Sequence, residues 1–262
     1  MKYAIVTGGS RGLGVGIVTA LIGHKVVDQV AVISRRLVPP PAGFESLVYG
    51  FSADVTDEKQ IHDAVEAIAS KLGPNPSVLC NNAGGGERAM LDHSLGSKWE
   101  PVEIFRDYVD LNLNSVHIVT REVAPRMLAG AVICNITSVA GLMASPLLVA
   151  YGAAKAGVIS YTRSCALRLA ADGIRVNAVA PGVIYTPLWE DIGAELSGTD
   201  DQARASFDSL VRDYVPLGRE QTVEDIGHAV AWLCSEQANN VTGQVIAVDG
   251  GSGLGIRPIR QN

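Results

Sequence analysis

The sequence contains few cysteines and no long apolar run, and both shortages exclude classes of protein. Its 262 residues include four widely spaced cysteines without a C-x-x-C pair, namely Cys80, Cys134, Cys165 and Cys234. This spacing predicts neither a disulfide framework nor a zinc site, and it favours reduced, mostly buried thiols in a cytoplasmic protein. No apolar run reaches the roughly 18 residues of a membrane span, and the N-terminus lacks the apolar stretch of a signal peptide.

Positive charge is also scarce. Lys and Arg total 21 against 27 for Asp and Glu, which gives a net charge of -6. Such a chain lacks the electrostatic footprint of a general nucleic-acid binder and fits an anionic membrane surface poorly. The 28 glycines follow no G-X-Y period, which excludes collagen, and the 47% of apolar residues is enough for a sizeable core. We therefore expect a globular protein without a nucleic-acid or membrane partner.

Strand-like runs alternate with helical segments along the whole chain. Seven apolar runs are typical of strands: 2–7, 30–34, 47–53, 77–81, 131–137, 174–180 and 244–248. Helices are expected over 13–22, from a cap at Thr56 or Asp57 to about Lys71, and near 101–128, 151–171 and 222–235, the last capped by Thr222 with Asp225. This alternation predicts an α/β fold, a doubly wound parallel sheet of about seven strands with helices on both faces. We expect one domain over residues 1–262, with a polar, irregular stretch at 187–215.

The first strand-like run ends in a glycine-rich loop, Thr7-Gly8-Gly9-Ser10-Arg11-Gly12-Leu13-Gly14. A tight turn from strand to helix, with no side chains between backbone and ligand, lets the helix N-terminus present free N–H groups to a pyrophosphate. The loop lies between the first strand and the first helix of an alternating chain. This position favours pyrophosphate binding over a merely tight turn.

The Thr-Gly-x-x-x-Gly-x-Gly spacing of this loop resembles the first motif of the short-chain dehydrogenase/reductase family. Further motifs of that family follow in order over residues 2–253: Asp54 in Ala-Asp-Val-Thr, Asn81-Asn82-Ala83-Gly84, Asn112, Ser138, Tyr151-x-x-x-Lys155, Pro181-Gly182-x-x-x-Thr186 and Asp249-Gly250-Gly251. The resemblance implies a Rossmann-type catalytic domain, a nicotinamide dinucleotide cofactor and hydride transfer. It also implies that the cofactor is contacted by Gly8, Ser10, Arg11, Gly12, Leu13, Gly14, Asp54, Val55, Asn82, Ala83, Gly84, Tyr151, Lys155, Pro181, Gly182, Ile184 and Thr186.

The end of the second strand indicates which dinucleotide binds. A carboxylate there would bind the ribose 2′-hydroxyl of NAD and repel a 2′-phosphate, but the sequence reads Ser34-Arg35-Arg36. Asp28 precedes the strand and should lie at the opposite end of the sheet. Arg35 can donate a charge-assisted hydrogen bond to a phosphate, Ser34 can add a hydroxyl group, and Arg36 is either a further phosphate ligand or a solvated charge. Together with Arg11 in the glycine loop, these residues favour NADP(H).

Four residues are expected to carry the chemistry. Tyr151 and Lys155 lie four positions apart on a predicted helix and share a face. The adjacent ammonium and a positively charged nicotinamide ring would lower the pKa of the tyrosine from its usual value of about 10, so that Tyr151 becomes the general acid/base. The resemblance implies that Ser138 hydrogen-bonds the substrate oxygen, that Lys155 binds the nicotinamide ribose, and that Asn112 holds a water linking Lys155 to solvent.

These residues favour an NADP(H)-dependent ketoreductase that interconverts a small-molecule ketone and a secondary alcohol. Two alternatives stay open: an NAD-dependent dehydrogenase of an alcohol, sugar or steroid, and a dinucleotide-sensing protein without turnover. The complete catalytic set argues against the second alternative. No metal is expected, because the five histidines show no metal-binding spacing, and Ser138 lacks a Gly-x-Ser-x-Gly context.

Residues 187–215 are expected to form a substrate lid that carries the apolar side chains Leu188, Trp189, Ile192, Leu196 and Tyr214. The resemblance also implies a homotetramer or homodimer built on the helices near 101–128 and 151–171. Their outer faces are expected to include Val116, Ile118, Val119, Val158 and Leu167. The tail Leu254–Pro258 is expected to pack across a subunit boundary.

Overall fold

A computed structural model of the chain describes residues 1–85, 99, 101–146, 148–185 and 200–255. Its strands are β1 (Tyr3–Thr7), β2 (Gln29–Ser34), β3 (Val48–Ser52), β4 (Val78–Asn81), β5 (Val132–Ile136), β6 (Arg175–Pro181) and β7 (Val245–Val248). All seven are parallel and form one sheet in the order β3-β2-β1-β4-β5-β6-β7. The predicted doubly wound sheet is confirmed, and the order of its strands reverses between β1 and β4.

The α-helices of the described residues are α1 (Leu13–Gly23), α2 (Glu58–Leu72), α3 (Val102–Val109), α4 (Ser115–Val123), α5 (Val149–Leu169), α6 (Asp200–Tyr214) and α7 (Val223–Cys234). Two of the predicted caps are confirmed. The Asp57 carboxylate accepts a hydrogen bond from the Gln60 N–H group and begins α2. Thr222 and Asp225 form a reciprocal capping box that begins α7.

The sheet is buried because helices cover both of its faces. Neighbouring strand residues alternate between two cores: Ile5, Ile33 and Leu79 belong to one, and Val6, Val32 and Cys80 to the other. The first core also contains apolar residues of α2, α4 and α5, and the second contains those of α1 and α7. This two-sided burial explains why the strands read as continuous apolar runs in the sequence.

Helices α1 and α7 pack with their backbones in direct contact. A Cβ atom at Gly16 would lie 2.2 Å from the carbonyl oxygen of Val223, and one at Gly227 would lie 2.3 Å from the carbonyl oxygen of Gly16. Only glycine fits this crossing. The contact fixes the helix that follows the glycine loop.

The prediction of one helix near 101–128 is wrong in detail. A π-helical turn, Asp110–Asn114, separates α3 from α4, and a 3₁₀ turn, Ala124–Arg126, follows α4. Pro125 explains the end of α4, because a proline has no N–H group with which to continue the helical hydrogen bonds. The π turn has no such marker in the sequence.

The prediction of an irregular stretch at 187–215 is also wrong for its second half, because α6 is a regular helix. Phe207 and Val211 lie four positions apart and form a buried stripe that packs with Val215 against Val183 and Tyr185. The many polar residues of the segment obscure this stripe in the sequence.

The side chains predicted to line the lid are only partly within the described residues. Tyr214 lies at the end of α6 and is 53% exposed. Leu188, Trp189, Ile192 and Leu196 lie outside the described residues, as does the tail beyond Gly255.

Most residues that were predicted on outer helix faces lie in the core instead. Val116, Val119 and Val158 are buried, whereas Ile118 is half-buried and Leu167 is 84% exposed. All four cysteines are free and buried, as predicted. Within the described ranges, none of the helices combines the length and the hydropathy that a membrane crossing requires.

Candidate active site

The glycine loop turns sharply from β1 into α1 at the carboxyl edge of the sheet. Gly8 and Gly12 have φ values of 66° and 53°, which favour glycine. A Cβ atom at Gly14 would lie 2.1 Å from the carbonyl oxygen of Gly8, so a side chain there would block the turn. The loop thus brings bare backbone and a helix N-terminus to the point where the strand order reverses. This is where open α/β sheets bind their ligands, and the geometry fits a pyrophosphate.

Asn82 clamps this loop from the neighbouring strand. Its side-chain amide donates hydrogen bonds of 3.0 and 3.1 Å to the carbonyl oxygens of Thr7 and Gly8. The hydroxyl oxygen of Thr7 accepts in turn from the N–H groups of Asn82 and Ala83, both at 3.0 Å. The ends of β1 and β4 are therefore tied together beneath the predicted cofactor site.

A cleft of about 480 Å³ lies beside the end of β2, where the adenine end of a dinucleotide is expected. Arg35 and Asp54 line it, together with Asp107, Asp110 and Leu111.

The other residues predicted at this end differ in their exposure. Ser34 is half-buried, and Arg35, Arg36 and Arg11 are exposed. The side chain of Val55 lies in the core, so only its backbone can face a cofactor.

Two of the predicted catalytic residues meet at the carboxyl end of β5. Ser138 follows β5 and accepts a hydrogen bond from the N–H group of Ala140, which begins a short 3₁₀ turn, Val139–Gly141. Tyr151 lies in the first turn of α5, and its phenol lies near the Ser138 hydroxyl group. A carbonyl oxygen placed here would have both hydroxyl groups within reach.

Lys155 lies one turn further along α5 and is buried. Its ammonium donates a hydrogen bond of 3.0 Å to the carbonyl oxygen of Ile136 and lies 5.6 Å from the centroid of the Tyr151 ring. The hydroxyl group of Thr137 donates to the carbonyl oxygen of Lys155 at 2.7 Å and fixes this turn of the helix against β5. Burial lowers the pKa of Lys155 to about 8.

The expectation of an acidic Tyr151 does not hold in this structure. Desolvation of its hydroxyl group raises the pKa of the phenol to about 12, and the hydrogen bond with Ser138 opposes that rise. The reason is that Lys155 is itself desolvated and directs its ammonium to a backbone carbonyl group rather than to the phenol oxygen. The phenol is therefore protonated at neutral pH.

Asn112 is fully buried in the π turn. Its side-chain amide donates to the carbonyl oxygens of Gly85 and Tyr108, at 2.8 and 3.1 Å, and its carbonyl oxygen accepts from the Gly85 N–H group at 2.8 Å. The side chain thus fixes the backbone after β4. A Cβ atom at Gly84 would lie 2.8 Å from Oδ1 of Asn112 and 3.1 Å from Nζ of Lys155, so this backbone passes close to the ammonium of Lys155.

The loop after β6 closes the other side of the crevice. A Cβ atom at Gly182 would lie 2.4 Å from Oε1 of Gln221 and 2.7 Å from Cβ of Asp249, so the turn after Pro181 requires glycine. Ile184 pairs with Gln221 in an isolated parallel bridge, and its side chain is buried. Thr186 lies outside the described residues.

Sequence reasoning missed two features of the site. One is Tyr108, whose buried ring contacts that of Tyr151. The other is a buried polar chain in which Asn81 donates to Asn135, and Asn135 donates to Thr162, each at 2.9 Å. Two asparagines at matching positions of apolar strand runs were the available signal for this chain.

Away from the crevice, His62, Glu66 and Glu122 place one possible metal ligand each within 4.8 Å of one another, a grouping that their spacing did not predict. The guanidinium of Arg126 lies 2.8 Å from both carboxylates. This cation already offsets part of their negative charge.

The chain is similar to proteins of known activity over nearly its whole length. Residues 10–253 match a family model described as enoyl-(acyl carrier protein) reductase. The 3-oxoacyl-(acyl-carrier-protein) reductase FabG of Thermotoga maritima is 35% identical over 257 residues, which cover 95% of this chain and 97% of that protein.

Two solved structures with different cofactors share the fold. The F189W variant of actinorhodin polyketide ketoreductase with NADPH has a TM-score of 0.78 and 29% identity, covering 96% of this chain and 97% of that one. The 3-oxoacyl-(acyl-carrier protein) reductase of Brucella melitensis in complex with NAD has a TM-score of 0.80 and 29% identity, covering 97% of both chains.

Proposed function

Because the chain belongs to the short-chain dehydrogenase/reductase family of oxidoreductases, we propose that it is a ketoreductase that uses NADPH to reduce a ketone to a secondary alcohol. The observation that carries this proposal is the contact between the hydroxyl groups of Tyr151 and Ser138 at the carboxyl edge of the sheet. The same edge holds the glycine loop that fits a pyrophosphate.

The proton in this reaction comes from Tyr151. A bound nicotinamide dinucleotide supplies the hydride to the carbonyl carbon. Ser138 donates a hydrogen bond to the carbonyl oxygen and positions it, while Tyr151 transfers its proton to the oxygen as negative charge develops there. The raised pKa of the phenol keeps that proton in place at neutral pH, which suits reduction.

Lys155 and Asn112 support this proton donor. The Lys155 ammonium is anchored to the Ile136 carbonyl oxygen, and the resemblance implies that it also binds the nicotinamide ribose. Asn112 holds the Gly85 backbone beside it, and the interrupted helix around Asn112 is the proposed place for the water that links Lys155 to solvent. Both residues are buried, so their geometry is fixed before substrate binds.

The end of β2 supports NADP(H) as the cofactor. Ser34 and Arg35 stand where a carboxylate would select NAD, and Arg35 lines the cleft expected to hold the adenosine end. Arg36 and Arg11 add positive charge on the same exposed side. The structural neighbours include one with NADPH and one with NAD, so the proposal is based on these residues.

The substrate class we propose is a β-ketoacyl thioester or a polyketide-like ketone. The names of the similar proteins support it, since they include a 3-oxoacyl-(acyl-carrier-protein) reductase and a polyketide ketoreductase. The packing of α6 against Val183 and Tyr185, just after the Pro181-Gly182 turn, places a helix where the lid is expected.

The proposed assembly is a homotetramer, or a homodimer, in the cytoplasm. Large apolar side chains are exposed on α3 and α5, namely Val102, Phe105, Val149 and Leu167. The four free, buried cysteines suit a reducing compartment. Light scattering after size exclusion tests the assembly, and a monomeric mass would contradict it.

The test of the proposed function follows loss of NADPH or NADH absorbance with a panel of substrates. The panel contains a β-ketoacyl thioester, a cyclic diketone and, for comparison, an enoyl thioester, and an aldose is tested for oxidation. We expect the keto substrates to be reduced with a higher kcat/KM for NADPH than for NADH. Turnover of the enoyl thioester alone would contradict ketone reduction, and a preference for NADH would contradict the cofactor assignment.

A further inference from the structure

Tyr108 is the largest buried side chain next to the proposed proton donor. It lies one residue before the end of α3 and is 1% exposed. Its ring meets that of Tyr151 edge to face, with the centroids 6.3 Å apart and the planes at 68°. Ala150, the residue before Tyr151, is also fully buried in the same small cluster, which Ile104 completes. The Tyr151 ring thus packs against a cluster of buried side chains.

The backbone of Tyr108 contacts a second residue of the proposed machinery. Its carbonyl oxygen accepts a hydrogen bond of 3.1 Å from the side-chain amide of Asn112. The same amide holds the Gly85 backbone, with hydrogen bonds of 2.8 Å in both directions. One residue therefore touches the proton donor through its ring and the π-turn asparagine through its carbonyl group.

The described groups that face Tyr151 come from three elements. Ser138 lies near the phenol, in the turn after β5, and the Lys155 ammonium on α5 lies 5.6 Å from the centroid of the ring. Tyr108 approaches from α3 and is the other phenol among these described groups. Its proximity helps to keep the Tyr151 phenol in its neutral form.

We propose that Tyr108 is a positioning residue of the active site, whose ring holds the Tyr151 phenol, and whose backbone holds Asn112, in the arrangement needed for proton transfer. The inference rests on the proposed function, since it assigns Tyr151 as the proton donor. Tyr108 does not touch the substrate, because it is buried. An error of about 1 Å in the placement of a reacting group is enough to lower a rate about 100-fold.

The test compares Tyr108→Leu, which removes the ring, with Tyr108→Phe, which keeps it. We expect Tyr108→Leu to lower kcat for ketone reduction by about 10- to 100-fold, with an unchanged Kd for NADPH measured by fluorescence, and Tyr108→Phe to restore most of kcat. Tyr161→Leu is the matched control, because Tyr161 is a partly buried tyrosine of the same helix as Tyr151, and its hydroxyl group contacts His117. This control should lose stability without a comparable loss of kcat.

A second measurement does not depend on turnover. Tyrosinate absorbance, taken as the difference between each protein and its Tyr151→Phe counterpart, reports the ionisation of Tyr151. Removal of the Tyr108 ring should shift this ionisation to lower pH, because water reaches the phenol.

The outcomes separate the proposed function from the proposed role of Tyr108. Wild-type protein that reduces no ketone would refute the proposed function, while the absorbance titration still tests the contact. The inference is overturned if Tyr108→Leu keeps its kcat, or if the ionisation of Tyr151 stays unchanged in that variant.

Discussion

The ammonium of Lys155 is held 3.0 Å from the backbone carbonyl oxygen of Ile136, inside the protein and at the carboxyl end of β5. A buried cation with a single described carbonyl acceptor is costly to desolvate, which lowers its pKa to about 8. Lys155 is therefore a source of instability as well as a fixed point of the candidate site. This cost can be measured.

Substitution of Lys155 should change the pH dependence of stability. The pKa of Lys155 is about 8 in the folded protein and 10.5 in its usual state, so between these values the unfolded chain binds more protons, and stability rises with pH. Lys155→Met removes this rise. The free energy of unfolding of the variant minus that of the wild type should therefore fall by on the order of 2 kcal/mol from about pH 7 to 10. Urea unfolding across this range measures it. The control Lys59→Met removes an exposed lysine and should show no such trend, whereas parallel curves for wild type and Lys155→Met would contradict the account.

Removal of the Ser138 hydroxyl group should shift the pH profile of alcohol oxidation. Oxidation needs the Tyr151 phenolate, so its kcat/KM rises with pH, and the hydrogen bond with Ser138 lowers the pKa of that phenol. Ser138→Ala should therefore move the rising limb to higher pH, while Ser138→Thr, which keeps a hydroxyl group, should leave it near its wild-type position. Initial rates of alcohol oxidation, measured across the alkaline pH range, give the position of this rising limb. A limb that moves to lower pH in Ser138→Ala would count against the assigned contact.

A carboxylate at the end of β2 should reverse the cofactor preference. Ser34→Asp places a negative charge where the 2′-phosphate of NADPH is expected. Arg35→Ala removes the side chain that is expected to donate a charge-assisted hydrogen bond to that phosphate. Each change should lower kcat/KM for NADPH by about 10- to 100-fold and leave that for NADH nearly unchanged. Arg121→Ala, at an exposed arginine paired with Glu58, is the control. Equal losses for both cofactors would rule out discrimination at this position.

The buried amide of Gln221 lowers the stability of the fold, and a substitution can remove this effect. It is 4% exposed, and within the part of the chain that the structure describes neither atom of its amide has a hydrogen-bond partner. Gln221→Met keeps the length of the side chain and should raise the free energy of unfolding by about 1 kcal/mol. Chemical denaturation measures this gain, and a loss of stability would show that the amide is bound.

Asn177→Leu is the contrasting variant. The amide of Asn177 donates to the carbonyl oxygen of Val241 and accepts from the N–H group of Gln244. Its removal leaves the N–H group of Gln244 without its acceptor, while the carbonyl oxygen of Val241 keeps the guanidinium of Arg175 as a donor, so the variant should lose about 2 kcal/mol.

The sheet was predictable because its central strands are buried on both faces and read as apolar runs. The π turn at Asp110–Asn114 was not predictable, because it is accompanied by tertiary hydrogen bonds between Asn112 and Gly85 rather than by a local helix breaker. Helix α6 was missed for a different reason. Its stripe of Phe207 and Val211 becomes visible only once its partners after β6 are known.

The candidate site was likewise predicted only in part. Spacing predicted that Tyr151 and Lys155 share a helix face, and the family resemblance added Ser138. The structure brings the three residues to one edge of the sheet. Without a bound cofactor the pKa of Tyr151 is raised rather than lowered, because spacing reveals that an ammonium is near but not that it is desolvated and bound to a carbonyl group. Tyr108 gave no signal, since a single aromatic residue in an amphipathic helix is ordinarily part of the core.

The most direct test of the central claim is a single-turnover measurement with Tyr151→Phe. The variant lacks only the hydroxyl group that we propose as the proton donor, so hydride transfer from bound NADPH to the ketone should fall by at least about 100-fold. Binding of NADPH, followed by fluorescence, should stay at the wild-type level, and Tyr161→Phe on the same helix should transfer hydride normally. Transfer by Tyr151→Phe at the wild-type rate would contradict the assignment of Tyr151 as the proton donor.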